Sequence, residues 1–369
     1  MNIGYASTDW GIASRGSDIG KPKYGLGGSV WVRCIVPGKE LHKRGHDYRV
    51  GRISVHNQTG ELLIADPNSD DHWNGFDIIF LQRWMAPTMI PYIQKAKSLG
   101  QKIVNDLDDW VWSVPSTNLA WMRWHPINSG EINLKAYDAI LAESDLITTS
   151  TPRIAELAQQ RWPKVPVACV RNAVDTTLYE PNEPNEKTEG LTVGWVGGTP
   201  WRGGDLEILQ GVLGPWLRKT KSRFYHGGHA KIGTPAAEML ALGEDIEVST
   251  KPLCPVERYA ELMKGIDIGI VPLSPIDFNN CKSSLKGMEY SAAGIPFIAS
   301  ESSSEYRWMS ETGAGMLAKK PRNWLKALDQ LREPEFRRQQ GMQNLEIVKK
   351  HHDITARVAE WEQVFQKLM

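Results

Sequence analysis

Strand-length apolar runs alternate with amphipathic stretches of helical period along almost the whole chain, in two successive series. In the first half the strand readings are Asn2–Ala6, Tyr48–Arg52, Asp77–Gln82, Lys102–Asp106, Leu146–Thr149 and Val167–Arg171. Helical patterns lie between them, such as Ser29–Arg44 closed by Gly45 and Pro87–Leu99 closed by Gly100. Pro37 is expected to kink the first of these. The polar, acidic, proline-containing run Tyr179–Gly190, YEPNEPNEKTEG, then reads as a linker. The second series follows, with strands at Leu191–Val196, Arg223–His226, Ile246–Ser249, Ile268–Pro272, Ile295–Ala299 and Gly315–Ala318 and a charged helical tail from Arg322. Such alternation implies an α/β chain of mostly parallel sheets in two Rossmann-like, doubly wound domains facing across a cleft. The expected layout is domain 1–178, linker 179–190, domain 191–350, and a C-terminal helix over 351–369 crossing back to the first domain. Ligands of such folds sit at the carboxyl ends of the strands.

A chain of 369 residues has room for two sizeable cores. Lysine plus arginine equals aspartate plus glutamate at 43 each, which argues against a protein whose main affinity is for nucleic-acid phosphates. Cys34, Cys169, Cys254 and Cys281 form no C-x-x-C pair, so neither a zinc site nor a disulfide framework is indicated. The start of the chain lacks a basic region followed by an apolar core, and no apolar run reaches membrane-spanning length. A cytoplasmic protein without membrane insertion is expected. Eight of the 15 tryptophans fall within the first 124 positions, with Trp110, Trp112, Trp121 and Trp124 crowded together. Their faces suit sugar rings or bases, and equally the packing of a core.

The run Phe278–Ser300, FNNCKSSLKGMEYSAAGIPFIAS, reads as a loop, a short helix ending at Gly294 and a buried strand. Lys282, Ser283 and Ser284 stand at the start of that helix, where free N–H groups and the dipole favour an anion. Glu289, further in, offers a carboxylate able to hold two hydroxyls. The plain alternative is a helix–strand unit with a surface Lys and Glu. In VGWVGGTPWRGGD, Val193–Asp205, a strand runs into Gly197, Gly198 and Thr199, and Arg202 beside a glycine turn can pair with phosphate oxygens. Tyr24–Ser29, with Gly27 and Gly28, lets a backbone approach a ligand closely, yet it is not the G-x-G-x-x-G dinucleotide fingerprint. Asp106, Asp108 and Asp109 at a strand end suit a divalent metal, hydroxyl contacts or helix capping. Arg83, ending another strand, is placed to steer an anion. His226 and His229 in a glycine turn read as a close backbone approach, since no third metal ligand lies nearby in sequence.

Taken together, these motifs resemble the nucleotide-sugar signature of the retaining glycosyltransferases with the GT-B fold, group 1, family 4-like. Glu289 matches the second acid of the family's Glu–seven residues–Glu motif, and Cys281 stands where the first acid falls. Asn172-Ala-Val-Asp175 resembles the turn that ends the family's first domain. The resemblance implies metal-independent, retaining transfer of a sugar from a nucleotide diphosphate sugar, UDP being the commonest, with no cofactor. It implies Arg202, Lys282, Asp108 and Asp109 as catalytic groups. Gly27, Gly28, Gly198, Thr199, Ser283, Ser284 and Glu289 would bind the donor, and Trp110, Trp112 and Arg83 would line the acceptor side. A glycan, a protein or a modified nucleic acid would serve as acceptor. Two alternatives stand beside it. One is a non-catalytic nucleotide-sugar binding protein, favoured by Cys281. The other is transfer to a modified DNA base, for which Arg33, Lys39, Lys43 and Arg44 would supply a basic rim.

Overall fold

A computed structural model describes residues 1–12, 24–66, 69–84, 87–124, 130–229 and 233–369. The chain falls into two compact units, one of residues 1–112, 122–172 and 357–369, the other of 113–121 and 173–356.

The first unit holds strands β1 (Asn2–Ser7), β2 (Trp10–Ile12), β3 (Tyr24–Leu26), β4 (Asp47–Val55), β5 (Leu62–Ala65), β6 (His72–Trp73), β7 (Ile78–Gln82), β8 (Lys102–Leu107), β9 (Leu146–Thr149) and β10 (Val167–Cys169). Eight of them form one sheet in the order β10-β9-β8-β7-β1-β4-β5-β6. All neighbours from β10 to β4 are parallel, while β5 and β6 add an antiparallel edge. The short runs LLIA and HW carry no period long enough to be read as strands in advance. Tyr24–Leu26, read as loop, pairs antiparallel with Trp10–Ile12. The interruption expected at Pro37 is a π turn, Trp31–Ile35, between the helical segments Gly28–Val30 and Val36–Lys43. Proline has no N–H to continue the ladder, so the preceding turn widens. Gly45 (φ +88°) closes the helix.

On that helix Lys39, Lys43 and Arg44 are exposed, but Arg33 does not join them in a basic rim. Arg33 is wholly buried: its Nη2 donates to Asp106 Oδ1 at 2.6 Å, its Nη1 to Val170 O and Asn172 Oδ1, and its guanidinium lies 4.6 Å from the Trp361 ring. Lys43 pairs with Glu40, Arg44 with Glu362, and Lys39 lies over Trp31. The helix Ile354–Gln366 completes this unit, with Trp361 and Phe365 edge-on to Phe80.

The second unit holds β11 (Thr192–Val196), β12 (Arg223–His229), β13 (Val248–Pro252), β14 (Ile268–Val271), β15 (Phe297–Ser300) and β16 (Met316–Ala318). They form an all-parallel sheet in the order β13-β12-β11-β14-β15-β16. Alternate residues fill opposite faces, as the strand period requires. Val193, Trp195, Ile268, Ile270 and Ile298 enter one core, and Val196, Val271, Phe297 and Ala299 the other. The order reverses between β11 and β14, and the carboxyl ends there form the switch point at which such sheets bind ligands.

The segment 179–190, expected as a linker, belongs to the second unit, and the boundary falls earlier, after Asn172. The Asn182 amide donates to Met263 O and Ile266 O, and Asn185 to Asp267. Buried Arg337 donates to Asn185 O and Lys187 O. The polar side chains of 179–190 bond the turn before β14, so polarity here marks anchoring, not freedom. Among the described residues no helix is long and apolar enough to cross a membrane.

Candidate functional site

At the switch point of the second unit, β11 runs into Gly197 and Gly198, and the turn Thr199–Trp201 delivers Arg202. Gly197 adopts φ +154°, where a side chain is strained, and a Cβ there would lie 2.7 Å from the Lys286 ammonium. Buried His226 lies with Nε2 2.9 Å from Gly197 O, bonding the glycine loop. Burial holds its imidazole below the usual range, so it serves as a neutral support.

Below this loop the helix Leu285–Ala292 begins. Ser284, at its N-cap, is fully buried, and its Oγ finds no partner among the described residues. Ser283 and Lys282 are half-buried, and the Lys282 ammonium lies 4.1 Å from the Phe278 ring. Lys286, in the first turn, lies 5.6 Å from the Trp195 ring. Glu289 follows three residues on, on the same helical face, and is buried. Burial, then the positive charges of Arg202 and Lys282, push Lys286 down to about 7, while Glu289 opposes them. Burial pushes Glu289 up to about 7, against the pull of Lys286 and Arg202. Arg202 and Lys286 bear on Glu289 and Lys282 bears on Lys286, so basic groups outnumber the buried carboxyl. Asp205 supplies further negative charge: its Oδ2 lies 3.9 Å from Arg202, while its Oδ1 accepts from Ser274 N, Ser274 Oγ and, at 2.6 Å, Asn279 Nδ2. Cys281 is buried at the place of the first acid.

A second group stands at the carboxyl ends of β1, β7 and β8 in the first unit. Arg83 adopts φ +58°, an unusual conformation for a side-chain-bearing residue. Its Nη2 donates to Asp108 Oδ2 at 2.8 Å, to Ser29 Oγ at 3.1 Å and to Asp109 Oδ2 at 3.3 Å. Burial raises the Asp108 pKa, yet Arg83 and the hydrogen bonds outweigh it and hold the carboxylate ionised. The N–H groups at Gly28–Val30 do not await an anion. Asp9 occupies that end, its Oδ2 accepting from Ser29 N at 2.8 Å and from Val30 N at 3.4 Å. A Cβ on Gly27 would lie 2.2 Å from the Asp9 carboxyl, whereas Gly28 faces open space.

Of the three adjacent carboxylates, Asp106 is therefore spent on Arg33 and Thr148, and Asp108 and Asp109 converge on Arg83. Trp110 is buried and lies 4.5 Å from Trp112. Trp112 stacks on Tyr137 at 5.7 Å and 6°, with the Arg161 guanidinium 4.8 Å from its ring. Both rings pack inside the unit. The structure thus groups Arg202, Lys282, Ser283, Ser284, Glu289, Gly198 and Thr199 in one unit, and Gly27, Gly28, Arg83, Asp108 and Asp109 in the other. Sequence reading missed Lys286, Asp205 and Asp9. Lys286 was within reach, since it stands three residues before Glu289 on one helical face. Asp9 was not, because its partner N–H groups lie about twenty residues away, across a hairpin.

No protein-family model matches the chain, and no curated protein matches its sequence. Solved structures do. Sucrose-phosphate synthase from Thermosynechococcus elongatus matches with a TM-score of 0.63 at 15% identity, over 100% of this chain and 98% of that one. A glycosyltransferase from Rickettsia africae matches with a TM-score of 0.62 at 11% identity, over 100% and 98%. Anabaena HepE, solved with UDP and glucose, matches with a TM-score of 0.58 at 12% identity, over 100% and 99%. These likenesses show the GT-B fold that the motifs resemble.

Proposed function

We propose that this chain is a glycosyltransferase that moves a sugar from a nucleoside diphosphate to an acceptor hydroxyl, with retention at the anomeric carbon. The observation that carries the reading is the grouping of Arg202 and Lys286 with buried Glu289, and of Lys282 with Lys286, at the switch point of a parallel sheet. Three cations match the charge of a diphosphate, and a buried carboxyl beside them suits the two hydroxyls of a ribose. HepE was solved with UDP, which makes a uridine nucleotide the first candidate.

In this reading Arg202, Lys282 and Lys286 neutralise the charge that grows on the leaving diphosphate as its bond to the sugar carbon breaks. The N–H groups of Ser283 and Ser284 and the buried Ser284 hydroxyl donate to its oxygens, and Gly198 and Thr199 shape the loop around it. The acceptor oxygen bonds to the same carbon, and its proton passes to a diphosphate oxygen. Asp108 and Asp109, oriented by Arg83, receive acceptor hydroxyls. With Asp9 beside them, three carboxylates face one guanidinium, which favours a hydroxyl-rich neutral acceptor such as a glycan over a polyanion such as DNA. The cations supply the charge a divalent ion would bring, so transfer runs without metal and survives EDTA.

The test is thermal stabilisation by UDP, GDP, ADP, TDP and CMP, followed by sugar transfer from the matching donor. Glu289→Ala is expected to weaken nucleotide affinity by about 1–3 kcal/mol through lost charge-assisted hydrogen bonds. Unchanged affinity in that variant removes the donor-site assignment. The second reading, a nucleotide-sugar binding protein without turnover, is favoured by Cys281 standing buried where the family's first acid falls. Stabilisation by nucleotide without transfer would decide for it.

A further inference from the structure

We propose that Thr117, Asn118 and Leu119 form a strap that positions Arg202 for the diphosphate; this rests on the donor-site reading given above. The loop carrying Arg202 has little regular structure of its own. One 3-10 turn, Thr199–Trp201, and two local bonds, Arg202 N to Thr199 O and Asp205 N to Arg202 O, are what it supplies. On one side Asp205 ties it to Ser274 and Asn279. On another, three consecutive residues from far earlier in the chain bond its carbonyls. Leu119 N donates to Pro200 O at 2.9 Å, Asn118 Nδ2 to Trp201 O at 3.2 Å, and Thr117 Oγ1 to Gly203 O at 2.9 Å. These carbonyls flank Arg202 on both sides.

The strap is itself stiff. Asn118 is buried, its N donates to Pro115 O, its Oδ1 accepts from Ala120 N, and its carbonyl accepts from Trp121 N. The fit to the loop is close, because a Cβ on Gly203 would lie 2.6 Å from Thr117 O. No strap residue is charged, so the segment does not bind the diphosphate by its own charge. It acts through the backbone on either side of Arg202, removing freedom the loop would otherwise lose on binding. Residues 113–121 belong by sequence to the first strand series, yet they group with the second unit.

The test compares Asn118→Leu and Gly203→Ala, each in the wild-type and the Arg202→Ala background, with UDP affinity as the readout. In the wild-type background each strap variant is expected to weaken UDP binding about tenfold, the value of one or two hydrogen bonds. In the Arg202→Ala background the same change is expected to have little effect, since its route of action is gone. Equal losses in both backgrounds, or wild-type affinity in the strap variants, overturn the proposal. Hydrogen exchange at residues 199–205 without ligand is expected to speed up in Asn118→Leu, and unchanged exchange also overturns it. Should wild-type protein bind none of the nucleotides, the donor-site reading falls with it, whereas the exchange result still reports whether the strap holds the loop. Thr117→Ser keeps the hydroxyl and is expected to retain wild-type affinity, while Thr117→Val does not.

Discussion

Lys286 and Glu289 share one face of a helix and are both driven to about 7, from opposite directions, by burial. A diphosphate beside Lys286 would restore its ordinary basicity. Burial favours the neutral form of Lys286 in the free site, so on the donor-site reading binding near neutral or mildly alkaline pH should take up protons, an uptake that fades in acid. Calorimetry in buffers of different ionisation enthalpy measures this, and Lys286→Met should abolish it. The sign for stability is opposite to that of a salt bridge. Lys286 has a folded pKa below its unfolded 10.5, so its cost is full below about pH 7 and disappears as pH rises towards 10.5. Lys286→Met should therefore raise the melting temperature at pH 6–7, with a gain that shrinks at alkaline pH. At this scale Arg202, Lys282 and Glu289 were legible because each stands at a motif position beside glycines or a helix start. Arg33 was not: nothing in its own helix announces Asp106, 73 positions away, so an arginine on a solvent-like stripe proved to be a buried partner.

Elements were more legible than residues, because period and punctuation are local. Most expected strands lie within two residues of those observed, and Gly45 and Gly100 end their helices with positive φ. The misses have local causes. Leu62–Ala65 and His72–Trp73 are too short for alternation to emerge, and Tyr24–Leu26 gains its order from Trp10–Ile12. The glycine loop before the first helix reads as a close approach to a ligand, yet the chain fills that helix end with its own Asp9. Asp9→Ala should cost about 0.5–2 kcal/mol, as lost N-caps do, measured by urea denaturation. Gly27→Ala should cost at least as much, since its methyl would meet the Asp9 carboxyl.

For the whole molecule, the expectation of two α/β halves holds, but the sequence boundary between them was drawn too simply. A polar, proline-containing run looks like a linker whether it hangs free or, as here, donates an amide to the turn that leads into β14. The C-terminal helix is part of the first unit's core. Trp361, 2% exposed, packs on Phe80 and under Arg33. Trp361→Ala should therefore destabilise the protein by about 3–5 kcal/mol, seen as a lower urea midpoint with an unchanged slope.

The excursion of residues 113–121 bears on how such a chain can be recombined. The polypeptide passes from one unit to the other after residues 112, 121, 172 and 356, so no single cut separates two self-sufficient modules. A chimera joined at 179–190 would carry Arg202 away from Thr117, Asn118 and Leu119 and exchange them for a foreign segment. Recombining such proteins at that junction would then succeed only when residues 113–121 travel along, so the heritable unit is discontinuous in sequence and larger than the segment 191–350.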